Sequence, residues 1–126
     1  MMKDPHLLEK VRRLIAKDPR YRPEAYDFVR EALDYTGSCL GVRGHVTGEQ
    51  LLEGVRALAI ERYGPMAISV LEHWGVGCTE DVGEIVFNMI DAALLSKTES
   101  DSRGDFAGVY DFDTVFLRDY PWHKRD

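Results

Sequence analysis

Four histidines (His6, His45, His73 and His123) and two cysteines (Cys39 and Cys78) are the side chains of this 126-residue chain best suited to metal binding or nucleophilic chemistry. The histidines are far apart, and no H-x-x-x-H pair sets two imidazoles on one helix face, so no metal site is expected. The acidic stretch Glu99-Ser-Asp101-Ser-Arg103-Gly104 invites comparison with a calcium loop. Arg103 stands where an oxygen ligand belongs and Tyr110 where a bidentate Glu is required, so the comparison fails. There is no G-x-S-x-G elbow, and Gly75-x-Gly77 meets Glu80 where a phosphate loop needs its third glycine. Cys78 directly precedes a helix start, where the helix dipole lowers a thiol pKa. The preferred reading of both cysteines is still a small hydrophobe, so no catalytic residue and no cofactor is assigned.

Two sets of residues remain as candidates. His45 stands in a Gly-flanked loop, and with Trp74 and Tyr110 it would line a ligand site. Glu84, Asn88 and Asp91 lie on the polar side of a strongly apolar helix and would contact a protein partner. The dipeptides Tyr110-Asp111 and Phe112-Asp113 alternate rings with carboxylates, which suits a strand with one wet face better than a functional acid pair.

These residues need elements to hold them. A first helix opens on Asp4 as N-cap with Pro5 in its first turn and stops at Asp18-Pro19. A second runs from about Pro23 to Tyr35, with Gly37 as its stop and Ser38–Gly44 a loop or a frayed extension. Thr47 and Gln50 make a T-x-x-Q capping box, and Val46 and Leu51 stand as a hydrophobic staple for a third helix. Gly64-Pro65 breaks that helix and starts a fourth, closed by Gly75 and Gly77. A fifth begins after Thr79 as N-cap, and Val82, Ile85, Val86, Met89, Ile90, Ala93 and Leu94 give it an apolar stripe. Alternation over Val109–Phe116 predicts a strand, paired with Leu94–Thr98 in a short ribbon; a short helix capped by Asp113 competes.

The fold class is therefore mainly α: a single-domain bundle of about five helices spanning 1–126, with a short β-ribbon near the C-terminus. Residues 1–4 and 119–126 are expected to fray. Three helices followed by a ribbon is also the order of a winged helix, in which the fifth would be the recognition helix. Its outer positions Asp81, Glu84, Asn88 and Asp91 are wrong for that role, because base edges and phosphates call for donors.

Charge points the same way. The formal net charge is −6. Residues 1–22 carry seven basic and three acidic groups, whereas residues 79–116 carry two basic and nine acidic ones. An acidic chain is repelled by phosphate backbones, so no nucleic acid is expected as partner. No stretch reaches the roughly 20 apolar residues of a membrane span, and no signal-peptide core is seen. Two unpaired cysteines suit a reducing compartment, so the expectation is a cytoplasmic protein that binds another protein or a second copy of itself.

Several strings are distinctive: Asp18-Pro-Arg-Tyr21, Ala25-Tyr-Asp-Phe-Val29, and His45-Val-Thr-Gly48 with Leu51-Leu52 and Gly54. To these add Val70-Leu-Glu-His-Trp-Gly75, Thr79-Glu-Asp-Val-Gly-Glu-Ile-Val-Phe-Asn88 and Val109-Tyr-Asp-Phe112. Together they resemble a family of short, uncharacterised bacterial proteins over roughly residues 14 to 116. The resemblance implies a bacterial, cytoplasmic, stand-alone protein and transfers no activity, cofactor or site residue. The function expected is that of a non-enzymatic interaction or adaptor protein. A small enzyme or ligand-binding protein near His45 is the alternative, and a winged-helix DNA binder the last.

Overall fold

The computed structural model describes residues 5–41, 46–92, 95 and 103–118. Five α-helices carry the fold: α1 (Pro5–Lys17), α2 (Pro23–Leu40), α3 (Gly48–Tyr63), α4 (Ala67–His73) and α5 (Thr79–Asp91). A 3-10 turn at Gly64–Met66 joins α3 to α4. A second 3-10 turn, Arg103–Phe106, and a wide π-helical turn, Thr114–Arg118, follow α5. No strand is found among the described residues. The predicted domain ends, residues 1–4 and 119–126, lie outside them.

The local signals explain most boundaries. Pro5 and Pro23 occupy first-turn positions, where the missing N–H costs nothing. The capping box of α3 is complete: Thr47 Oγ1 accepts from Gln50 N at 3.1 Å, and Gln50 Oε1 accepts from Thr47 N at 2.9 Å. Two expectations shift. Gly37 does not stop α2, which runs on to Leu40 and ends at Gly41 in the left-handed conformation, φ 69°. Thr79 is not the N-cap of α5 but its first residue, with Cys78 at the cap. The Thr79 side chain is buried and donates to the Phe106 carbonyl at 2.6 Å, which takes it away from the helix end.

The strand expected over Val109–Phe116 is not formed. Asp111 instead accepts the Thr114 N–H and hydroxyl, both at 3.1 Å, and the Val115 N–H bonds the Asp111 carbonyl at 3.0 Å. Phe112 and Phe116 thus share one face of a helical turn, edge to face at 5.2 Å. The alternating pattern held an i, i+4 aromatic pair as well, and no described strand stands beside it to favour extension. The other half of the ribbon, Leu94–Thr98, falls outside the described residues except for Leu95.

One continuous core joins all five helices and both late turns. Its tightest crossing is α2 on α3. A Cβ at Gly54 would lie 1.8 Å from Thr36 Oγ1, whose hydroxyl donates to the Ala32 carbonyl at 2.7 Å. The helices approach this closely because position 54 carries no side chain. α5 is the central element, with Val82, Gly83, Ile85, Val86, Phe87 and Met89 all buried. That burial is what fixes the outward positions 81, 84 and 88 toward the turn between α1 and α2.

Candidate functional site

The α1–α2 turn, Asp18 to Arg22, is short because Pro19 forbids another helical residue before it. Asp18 Oδ1 accepts from Arg20 Nε at 2.7 Å and Oδ2 from Arg20 Nη2 at 2.7 Å, a two-point pairing within the turn. Asn88 on α5 reaches the same carboxylate, donating from Nδ2 to Asp18 Oδ2 at 2.9 Å, and also bonds the Tyr26 hydroxyl at 3.2 Å. Arg20 Nη2 stands 3.6 Å from Glu84 Oε1. The buried Tyr21 donates its hydroxyl to Asp81 Oδ1 at 2.6 Å, and Asp81 Oδ2 accepts from the Gly77 N–H at 2.9 Å. Positions 81, 84 and 88 follow i, i+3, i+7, so one face of α5 receives the whole turn.

The electrostatics follow this geometry. The paired Arg20 guanidinium, aided by Asn88, holds the Asp18 carboxyl well below the usual range against a modest burial penalty. Burial first, then the bond to Asp81, raises the Tyr21 phenol. Burial likewise raises Tyr26 and Tyr110. Cys78 runs against the helix-dipole expectation: burial raises its thiol pKa and the adjacent Asp81 charge adds to this. Its Sγ lies 3.4 Å from Asp81 Oδ2. The hydrogen bonds of this cluster fasten the α1–α2 turn and the Gly77–Cys78 link to α5.

Tyr21, Tyr26 and Tyr110, the raised tyrosines with substantial burial, give a pH prediction. An unfolded tyrosine ionises near 10, whereas the folded chain keeps Tyr21, Tyr26 and Tyr110 neutral beyond that. Their contribution to stability is thus whole below about pH 10 and is lost as pH rises further. Thermal melts between about pH 8 and 12 should show Tm falling above about 10, with phenolate absorbance from these rings rising only on unfolding. Tyr21→Phe should flatten the fall. Ionisation of every tyrosine before unfolding would refute this.

The candidate residues are placed differently from their grouping in the sequence. Glu84 and Asn88 take part in the α1–α2 turn network. Asp91 stands apart, exposed on a second feature: a cleft of about 370 Å³ between α1 and the end of α5, lined by Lys10, Arg13, Leu14, Lys17, Asp91 and Ala92. The positions 10, 13, 14 and 17 form one face of α1. Trp74 packs on Phe28 at 5.6 Å and on Tyr63 at 5.8 Å. Tyr110 instead donates to the Leu52 carbonyl at 2.7 Å and stacks on Phe112. Leu52 and Tyr63 are three turns apart along α3, about 16 Å, so Trp74 and Tyr110 meet that helix at well-separated points. His45 and His123 lie outside the described residues.

Among the described residues no group of three or more His, Cys, Asp or Glu is arranged to hold a metal ion, and no helix is long and apolar enough to cross a membrane. Sequence reasoning missed the Asp18–Arg20–Asn88 clasp. Its only sequence signal was Asp-Pro-Arg-Tyr, read as a helix stop. Comparison with protein-family models, curated proteins and solved structures returned no match.

Proposed function

We propose that this chain is a non-enzymatic, cytoplasmic protein-interaction module, an adaptor rather than a catalyst. One observation carries the reading. The polar side chains that converge in the fold, from Asp18 to Asn88, bond one another across the α1–α2 turn and α5, while the basic face of α1 borders an open cleft. Convergent groups of a catalyst would instead point at a shared space for substrate. A ligand site built on His45, Trp74 and Tyr110 is disfavoured by the separation of the last two. The DNA reading is disfavoured because α5 is the central core helix and its outer positions are acidic or bonded to the turn.

Capture from native extract at low salt, with elution by raised salt, tests this. A stoichiometric protein partner released by salt is expected, as for a complex held by complementary charge. A parallel thermal-shift screen of metabolites and metals should be flat, since a ligand at a hundred times its Kd adds about 2.7 kcal/mol. A clear shift with one metabolite, and no stoichiometric partner, would overturn the reading.

A further inference from the structure

We propose that the cleft between α1 and the C-terminal end of α5 binds an acidic peptide segment of another protein, anchored by an apolar side chain. This rests on the interaction reading above and names its site. Lys10, Arg13 and Lys17 rim the cleft, with Leu14 and Ala92 between them and Asp91 opposite. Among the described residues neither Lys10 nor Lys17 has an ion-pair partner, and Arg13 meets only the exposed Glu9 at 3.6 Å. Arg20, Arg22, Arg56 and Arg62, by contrast, each meet a carboxylate: Asp18, Glu24, Glu53 and Glu31 respectively. A row of cations around an apolar floor, two of them without an ion-pair partner among the described residues, complements carboxylates flanking a Leu-like anchor, the arrangement of an interface with an apolar centre and polar rim.

Other occupants fit less well. A bilayer would need an apolar face to take up, but Val11 and Leu14 of α1 are already buried in the protein. A nucleic acid presents an unbroken run of phosphates, which Asp91 inside the cleft and the net charge of −6 both oppose. A symmetric dimer through this face would set basic α1 against basic α1.

Fluorescence anisotropy with a labelled peptide of about 14 residues, close to the length of α1, tests the assignment. The probe repeats Glu-Glu-Leu-Glu and is compared with versions carrying Ser for Leu or Lys for Glu. Binding at low salt is expected, weakening several-fold as screening sets in between about 50 and 300 mM salt. It should fall at least tenfold for Lys10→Glu/Lys17→Glu and by less for Lys10→Gln/Lys17→Gln. The Lys-for-Glu peptide should not bind, and the Ser-for-Leu peptide should bind more weakly. Circular dichroism of each variant verifies the fold, and the Gln pair keeps the test alive if the Glu pair unfolds.

Peptide binding untouched by the Lys10/Lys17 variants overturns the proposal. So does tighter binding of duplex DNA or phosphatidylserine vesicles than of the acidic peptide, or self-association in sedimentation that the same variants abolish. The two readings separate cleanly. A native partner still captured by Lys10→Glu/Lys17→Glu leaves the adaptor reading standing and removes this site.

Discussion

Phe106→Ala is expected to lower unfolding stability by about 3–5 kcal/mol, the range for truncating a buried Phe, and to drop Tm by roughly 10–20 °C. Phe106 is 1% exposed and lies between α3 and α5. A Cβ on Gly83 would come within 2.8 Å of its Cβ and Cγ, and one on Gly48 within 3.0 Å of its Cζ. Two glycines on different helices therefore form the socket, and the ring also meets Phe87 edge to face at 6.3 Å. Around it the Phe106 carbonyl takes the Thr79 hydroxyl, the Gly108 N–H donates to Glu80 at 3.0 Å, and the Val109 N–H donates to Thr79 at 3.2 Å. The cavity left by truncation thus undermines the attachment of the whole segment after α5. Urea unfolding of wild type, Phe106→Ala and Phe106→Leu measures this, with Leu expected to cost much less. Gly48→Ala should be more damaging in wild type than in the Phe106→Ala background, a coupling on the order of 1 kcal/mol. A loss below about 1 kcal/mol for Phe106→Ala would show that the socket does not support the fold.

Gly75→Ala is the second large effect, expected at about 3–4 kcal/mol from backbone strain and overpacking together. Gly75 terminates α4 with φ 96°, a conformation that side chains rarely adopt. The Gly75 N–H bonds the Glu72 carbonyl at 3.0 Å and the Val76 N–H bonds Leu71 at 2.9 Å, the paired bonds of a Schellman ending. A Cβ there would stand 2.1 Å from the Arg20 carbonyl oxygen. That oxygen belongs to the α1–α2 turn, and the Arg22 N–H bonds Trp74 O at 3.1 Å alongside it. Because the obstacle is backbone, no side-chain rotation relieves it. Gly77→Ala is the matched control: nothing lies closer to its Cβ than Asp81 Oδ2 at 3.9 Å, and a change within about 0.5 kcal/mol is expected. Equal stability of the two variants in denaturant melts would reject the strain argument.

Both predictions concern contacts that sequence reading did not reach, and the reason is separation along the chain. Thr47 and Gln50 were legible as a capping box because the two groups are three residues apart, and the helical stripes from Val11 to Met89 were legible for the same local reason. The sequence shows Asn88 only as an outward polar residue, because its partners, Asp18 and Tyr26, are far away along the chain. Nothing near Gly83 in the sequence shows that the Phe106 ring packs against it. The candidate site fared similarly. The basic bias of the first helix was visible from composition, but the cleft it borders together with Asp91 was not, because that cleft forms only when α1 meets the end of α5.

Helix identity, the capping box and the polar-apolar division of each helix were written in the amino-acid order, since dihedral preference, capping and amphipathic burial act within a turn or two. The packing of helix on helix was not. It depends on where a missing Cβ lets two backbones close up, as at Gly54 and Gly75, and on which distant group satisfies a buried hydroxyl, as at Thr79 and Tyr110. The same competition decided residues 109–116. Their alternation was compatible with a strand, but the Asp111 cap and the Phe112–Phe116 pair packed into the core favoured a turn of helix.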